Sequence, residues 1–538
     1  MFRVSRVDSA RLIVSLTAAS LVLLASLAAQ NEITLRLVDY ATMPMTGSPT
    51  AAAQPGSLAR VNFMREEPGG AGRFFVNDLN GPLYILDKKT KAFTTYLDFN
   101  GRDDRPGLFE KLPFVAGFSN GLTCFQFDPD YRKNGRFYTI HLEEITATGS
   151  TMPDGRSAPG LNLAGYETTT AIVTPGPIER DAVLVEWTDT NIANDTFEGT
   201  AREVMRVQMN LRIHTMADMI FNPTARPGDA DWRVMYLSIG DSGSGEQTTR
   251  IRQNAQRLDT LVGKILRIVP DLSLHTATTT VSSNGRYRVP RDNPFVKVAG
   301  AHPEIWALGL RNPHRLIWDV DPATPGAGRL LTANIGLRGW ETVFVLRKGE
   351  NYGYPAREGG MMMKLDNTFG PVPAIDELPL LVGEETRGMV KPVYPVLSYP
   401  HNATGGDAIA GGFIYRGTKV PALKNRFIFG DISTGKVWYA DYREMLAADD
   451  GKPETMAARH QVQLSWSAPN ASEQVYPTMF PVVLAAYKAR GGTDPDLPGS
   501  ASVSGPGRAD IRFAMDSSGE LFILSKIDGM IRQVAGAK

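Results

Sequence analysis

The residues best suited to chemistry in this chain are an imidazole and a carboxylate, each placed beside a strand-like run. His214 stands in "LRIHTMADMIFNP" (211–223), just ahead of apolar Met219, Ile220 and Phe221, and Asp241 stands in "YLSIGDSGSG" (236–245). An imidazole titrates close enough to neutrality to take up a proton. A carboxylate beside it would fix its orientation and favour its protonated form. "GLRNPHR" (309–315) adds Arg311, whose rigid fork suits carboxylate or carbonyl oxygens, and Asn312, which offers both a donor and an acceptor. Residue types alone leave a bland alternative open: a hydrogen-bonded structural histidine, a turn aspartate and two loop residues.

The elements that would position these groups are strands. A turn containing Gly, Asn or Asp, then an aromatic-aliphatic run, then another polar turn recurs at 72–87, 127–144, 221–243, 318–336, 422–441 and 513–534. β-Branched and aromatic residues bounded by turn formers are strand chemistry with tight reversals. Helical periodicity is scarce, and 252–266 is a rare stretch that could support a short helix or turn. About six such copies in one chain predict an all-β fold, a six-bladed β-propeller with four-stranded antiparallel blades, because radial packing protects sheet edges. Two β-sandwich domains are the alternative, but no low-complexity break divides the chain. Segments 270–300 and 358–390 read as long loops on one face, where sites are commonly built, and 491–510 reads as a further, flexible insertion.

Composition bounds the function. The 538 residues are 42% hydrophobic and 21% charged, enough for a large core, and 57 Lys plus Arg balance 57 Asp plus Glu. That balance gives no overall field to gather nucleic acid. Arg3, Arg6 and Arg11 precede the apolar run 12–29, and Ser26 and Ala28 suit a peptidase. An export signal over 1–29 and one propeller domain over 30–538 are therefore expected, with a periplasmic or secreted location and no membrane span after cleavage; a retained anchor is the rival. Cys124 is the single cysteine, and no C-x-x-C-H haem attachment occurs.

Several motifs together resemble the glucose/sorbosone dehydrogenase family, soluble quinoprotein sugar dehydrogenases with a six-bladed propeller. They are "NAQRLDTLVGKILRI" (254–268), "YRVPRDNPFV" (287–296), "PEIWALGLRNPHRLIWDVDP" (303–322), "GWETVFVLRKGENYGYP" (339–355) and "GGFIYRGTKVPALKNRFIFGDISTGKVW" (411–438). The similarity runs from about residue 117 to residue 525. It implies pyrroloquinoline quinone and calcium as cofactors, a sugar or polyol substrate and a separate electron acceptor.

The resemblance also implies roles. His214 resembles the general base that removes the sugar hydroxyl proton, and Asp241 the acid that supports it. Arg311 and Asn312 resemble the pair approaching the quinone. Arg416, in "FIYRG", stands where a cation faces the cofactor, and His401, in "SYPHNATGG", precedes a Gly-rich strand entry as in similar segments. The calcium-holding carbonyls project onto Gly336 and Leu337, with Glu341 nearby; carbonyl ligation suits this hard cation. Departures are present. Met216 follows where small residues open the sugar pocket, Ser119 replaces a Gln near substrate, "GDSG" replaces Gly-Asp-Gly-Gly, and no pair of arginines for the cofactor's carboxylates is recognisable. His302, His314, His141, His275 and His460 read as turn or structural histidines. Two other classes remain open: a cofactor-free propeller binding carbohydrate or protein, as in hedgehog-interacting proteins, and a calcium-dependent lactonase-like hydrolase.

Overall fold

Six strands, Val61–Glu66, Leu122–Phe127, Met216–Phe221, Asn312–Asp319, Ile409–Ile414 and Ile511–Met515, each form one edge of a separate sheet. Each touches the next in chain order, and the last touches the first, so they ring a central axis. The fold is a β-propeller. The structure is a computed structural model and describes residues 32–47, 56–70, 72–113, 120–320, 328–499, 503, 505 and 507–538. The expected export signal (1–29) and Ser119 lie outside the described residues.

Four of these six sheets have four strands, as expected; two are larger. Gly160–Asn162 adds a fifth strand to the sheet of Leu122–Phe127, in parallel with Glu198–Met209. In the last sheet Thr34–Thr42, from the start of the chain, pairs antiparallel with Met530–Ala537 from its end, and Gln463–Trp466 joins in parallel. This pairing closes the ring and leaves neither terminal strand as an open edge.

The recurring sequence pattern has a physical origin. Each copy contains the second strand of its sheet: Arg73–Asp78, Arg136–Glu144, Met235–Ile239, Arg329–Ile335, Arg426–Asp431 and Leu521–Ser525. These strands are covered on both faces by neighbouring sheets, which demands long apolar runs rather than alternation. Aromatic rings fill the gaps: Phe75 meets Phe127 edge-on at 5.0 Å and Phe137 stacks on Trp187 at 6.2 Å.

Residues 252–266 do carry a short helix, the 3-10 segment Arg250–Gln256, but their second half is strand Lys264–Ile268, wholly buried as the third strand of its sheet. One expectation changes. The long insertions start from opposite ends of the sheets, although they meet where Gly300 packs against Val382. Ile268 is level with Met235 and Phe221, so 270–300 leaves from the end where the inner strands finish. The other insertion returns to the end where they begin, since Asn351 bridges Leu308 and Leu308 is level with Lys264, Ile239 and Met216.

Leu37 is 3% exposed in the ring-closing strand and paired with Val534. Leu37→Ala is expected to destabilise the protein by about 2–5 kcal/mol, measured as a lower urea midpoint with an unchanged slope.

Candidate active site

His214 and Arg311 stand immediately before the adjacent inner strands Met216–Phe221 and Asn312–Asp319, at the same end of the axis. The loop carrying Asp241 ties them together through the backbone. Its N–H donates to the Arg311 carbonyl at 2.6 Å, and the Ser242 N–H donates to the His214 carbonyl at 2.9 Å. Gly240 permits this approach, since a Cβ there would lie 2.4 Å from the His214 carbonyl oxygen. His214 has a left-handed backbone (φ 50°), a conformation costing about 1–2 kcal/mol for an L-residue. The surrounding hydrogen bonds hold it there.

Asp241 is fully buried. Its Oδ1 accepts from His214 Nδ1 at 2.8 Å and from the Gly243 N–H at 2.9 Å, and its Oδ2 accepts from the Gly245 N–H at 3.0 Å. A buried carboxylate without such donors would be strongly destabilising. Burial raises the Asp241 carboxyl, but the hydrogen bond and charge of His214, the charge of Arg311 and the Gly243 N–H outweigh it and hold the group below the usual carboxylate range. With Asp241 an acceptor, Nδ1 of neutral His214 carries the proton and Nε2 is the free base. Burial, and then the positive charge of Arg311, hold the imidazole below its ordinary value against the opposing pull of Asp241. At neutral pH the group is therefore an unprotonated base.

Arg311 is 6% exposed. Its Nη1 donates to the Gly336 carbonyl at 2.5 Å, its Nη2 pairs with the Glu246 carboxylate, and its buried Nε has no hydrogen-bond partner among the described residues. Tyr354 Oη and Ser244 Oγ are likewise buried and unpaired. Tyr354 is packed against the same turn, for a Cβ on Gly245 would lie 1.7 Å from its hydroxyl. Arg311 bears on His214 electrostatically, so the two sequence candidates converge.

Other candidates are placed differently. Asn312 opens its strand, and its backbone N–H donates to Asn334 Oδ1 at 3.0 Å. Arg416 follows the last residue of Ile409–Ile414 and pairs with Asp319 at 2.6 Å, the final residue of the neighbouring inner strand. It is thus at the opposite end of the axis and does not face His214. Met216 is wholly buried in the core, so it does not narrow the approach. His314, read as a loop histidine, is buried on its inner strand, and burial followed by the charges of Arg315, Arg512 and Lys526 keeps it well below the ordinary range.

Most of the groups projected near a calcium are already committed. The Gly336 carbonyl already accepts from the Arg311 guanidinium. Both oxygens of Glu341 are committed, Oε1 to His401 Nε2 at 2.6 Å and the Gly336 N–H at 3.1 Å, Oε2 to the Ile409 N–H at 2.7 Å. The N–H groups of Leu337, Arg338, Gly339 and Trp340 all point at Glu358, at 2.5–3.1 Å. Burial pushes Glu341 up to about 7. Burial alone would lower His401, but Glu341's hydrogen bond and charge raise it. His401 is thereby spent on Glu341, as a buttress behind Arg311. Among the described residues no group of three or more His, Cys, Asp or Glu side chains converges as metal ligands.

Sequence reasoning missed a buried cationic group near the axis. Arg60, Arg315, Arg512 and Lys526 influence one another electrostatically around Asp510. Burial lowers Arg60 to about 10 and Arg315 to about 9. Arg512 pairs with Asp510 at 2.9 Å, whereas Lys526 has no carboxylate partner among the described residues. The signal was positional: Arg60, His214, Arg311 and Asp510 all stand just before an inner strand.

The site is thus a base, its carboxylate and a guanidinium at one end of the axis, with Arg60 and Asp510 preceding inner strands at the same end. Residues 229–459 match the Glucose / Sorbosone dehydrogenase family model. The chain is 24% identical over 391 residues to the HIPL1 protein of Arabidopsis thaliana, covering 70% of this chain and 51% of that protein. It is 25% identical over 218 residues to aldose sugar dehydrogenase YliI of Escherichia coli, covering 40% and 47%. It thus spans about half the length of the curated relatives it matches. The solved soluble aldose sugar dehydrogenase of Escherichia coli, in its apo-form, superposes over 93% of this chain and 98% of that one, with a TM-score of 0.50 and 16% identity. That likeness shows a shared fold. Among the described residues, no helix of this chain is long and apolar enough to cross a membrane.

The His214 environment predicts opposite responses to two substitutions. In a histidine NMR titration the His214 imidazole is expected to titrate below 6.5; Arg311→Met should raise its pKa and Asp241→Asn should lower it further. Shifts of the reverse sign would show that these two charges do not act on it.

Proposed function

We propose that this chain is an exported, periplasmic or secreted quinoprotein dehydrogenase that oxidises a sugar or polyol hydroxyl, using pyrroloquinoline quinone and passing electrons to a separate acceptor. The observation that carries the reading is a free imidazole nitrogen at His214, fixed by buried Asp241 and set beside Arg311.

Oxidising C–OH to C=O removes a proton from oxygen and two electrons with a hydrogen from carbon. His214 Nε2 accepts the proton, a role typically worth about 10²–10⁴-fold in rate. Asp241 holds the ring and stabilises the imidazolium that results. When bound, the quinone supplies the two-electron oxidant. Its carboxylates match buried Arg60 and Arg512, with Lys526 beside them, and Arg311 Nε and Tyr354 Oη, without partners among the described residues, suit further acceptor oxygens. The reading assigns no calcium to Gly336, Leu337 or Glu341 and no cofactor contact to Arg416.

A second reading, a cofactor-free propeller that binds carbohydrate or protein, is favoured by one feature: the Glu246 carboxylate already occupies the fork of Arg311. Reconstitution separates the two. Purified protein mixed with the quinone should take it up stoichiometrically and reduce an artificial dye when sugars are added. His214→Ala should keep cofactor uptake and lose about 10²–10⁴-fold in kcat/KM. Sugar binding without cofactor uptake would establish the second reading instead.

A further inference from the structure

A cavity opens as a mouth at the end of the axis opposite His214. Its walls come from all six inner strands near their final residues, remote from His214, and enclose about 410 Å³. Met216–Phe221 separates the two ends by about 17 Å at ordinary strand rise. Phe63, Ile220, Trp318, Phe413 and Met515 give this mouth an apolar lining.

Its floor is cationic. Arg65 Nη2 pairs with Asp218 at 2.9 Å and its Nε donates to the Phe125 carbonyl at 2.9 Å. Arg315 Nη1 donates to the His314 carbonyl at 2.9 Å and its Nη2 to the Asn62 carbonyl at 3.0 Å. Both guanidinium groups lie against the Phe63 ring, at 4.7 Å and 3.9 Å from its centroid. Among the described residues no acceptor is placed on Arg65 Nη1 or Arg315 Nε. Of the three rim carboxylates, Glu66 is answered by Lys88 at 2.7 Å and Asp128 by Arg233 at 2.8 Å, while Asp516 accepts from the Ser518 hydroxyl and from the Ser518 and Glu520 N–H groups. Asp218 offsets one of the two floor charges, so the floor keeps one positive charge beneath an apolar cup, with the Asp516 carboxylate out at the rim.

One excess charge and an apolar wall select against sugars, which need many polar partners, and against multiply charged phosphates. We propose that this mouth binds a small apolar monocarboxylate, aromatic or medium-chain aliphatic, with its carboxylate on Arg65 and Arg315 and its body against Ile220, Trp318, Phe413 and Met515. The site is separate from the His214 site, and the inference does not rest on the dehydrogenase reading.

Calorimetric titration of the full chain with 3-phenylpropionate and with 3-phenylpropanol tests it. The acid should bind saturably, at least tenfold tighter than the alcohol, and change Trp318 fluorescence. Arg65→Met should lose at least tenfold in acid affinity and leave the alcohol unchanged. Met515→Trp, which fills the cup and keeps the charges, should weaken both ligands, while His214→Ala should bind as the parent does. Absence of saturable binding to the parent, equal affinity for acid and alcohol, or undiminished acid binding in Met515→Trp would each overturn the proposal; the first two comparisons need no variant to fold.

Discussion

The hydrogen bond from His214 Nδ1 to Asp241 Oδ1 is the constraint on which the site depends. A carboxylate with no solvent exposure is tolerated because three donors reach it, and one of these donors is the imidazole. The same bond settles which ring nitrogen is free. It couples local chemistry to the whole fold, since the Asp241 N–H is also bonded to the Arg311 carbonyl on the next sheet. A base, its orienting acid and a guanidinium are thus fixed relative to one another by the contact between two sheets of the ring. No single loop could hold all three.

Ring closure supplies that fixity. Inner strands that run side by side around an axis bring the residues preceding them together, although His214, Arg311 and Asp510 are far apart in the chain. The strand pairing of Thr34–Thr42 with Met530–Ala537 makes the ring a closed object rather than an open stack. The axis therefore has two chemically different ends. One gathers His214, Asp241 and Arg311; the other is an apolar cup over Arg65 and Arg315.

Much of this architecture was legible because its sequence signals are local. Second strands buried on both faces need continuous apolar runs, and the turns between them need Gly, Asn or Asp, so the repeat stood out. His214 and Asp241 were legible because each sits beside such a run, in a segment whose glycines permit close backbone approach. Arg416 was misplaced because it follows its inner strand where Arg311 precedes one, and the length of a strand separates those positions. Glu341 was taken for a metal-facing acid because burial leaves no mark on a glutamate in the sequence; in the fold its oxygens belong to His401 and two backbone N–H groups. Arg315, Arg512 and Lys526 face the axis only once the ring is closed, and strand periodicity alone did not separate them from surface cations.

The tautomer of His214 tests the central claim most directly. Long-range nitrogen–proton correlation of ¹⁵N-labelled protein, recorded above the pKa of the ring, distinguishes a protonated Nδ1 from a protonated Nε2. The account predicts a single species with the proton on Nδ1 and a lone pair on Nε2, and loss of that preference in Asp241→Asn. A proton on Nε2 in the parent protein would leave the imidazole without a free base toward the channel and would contradict the account.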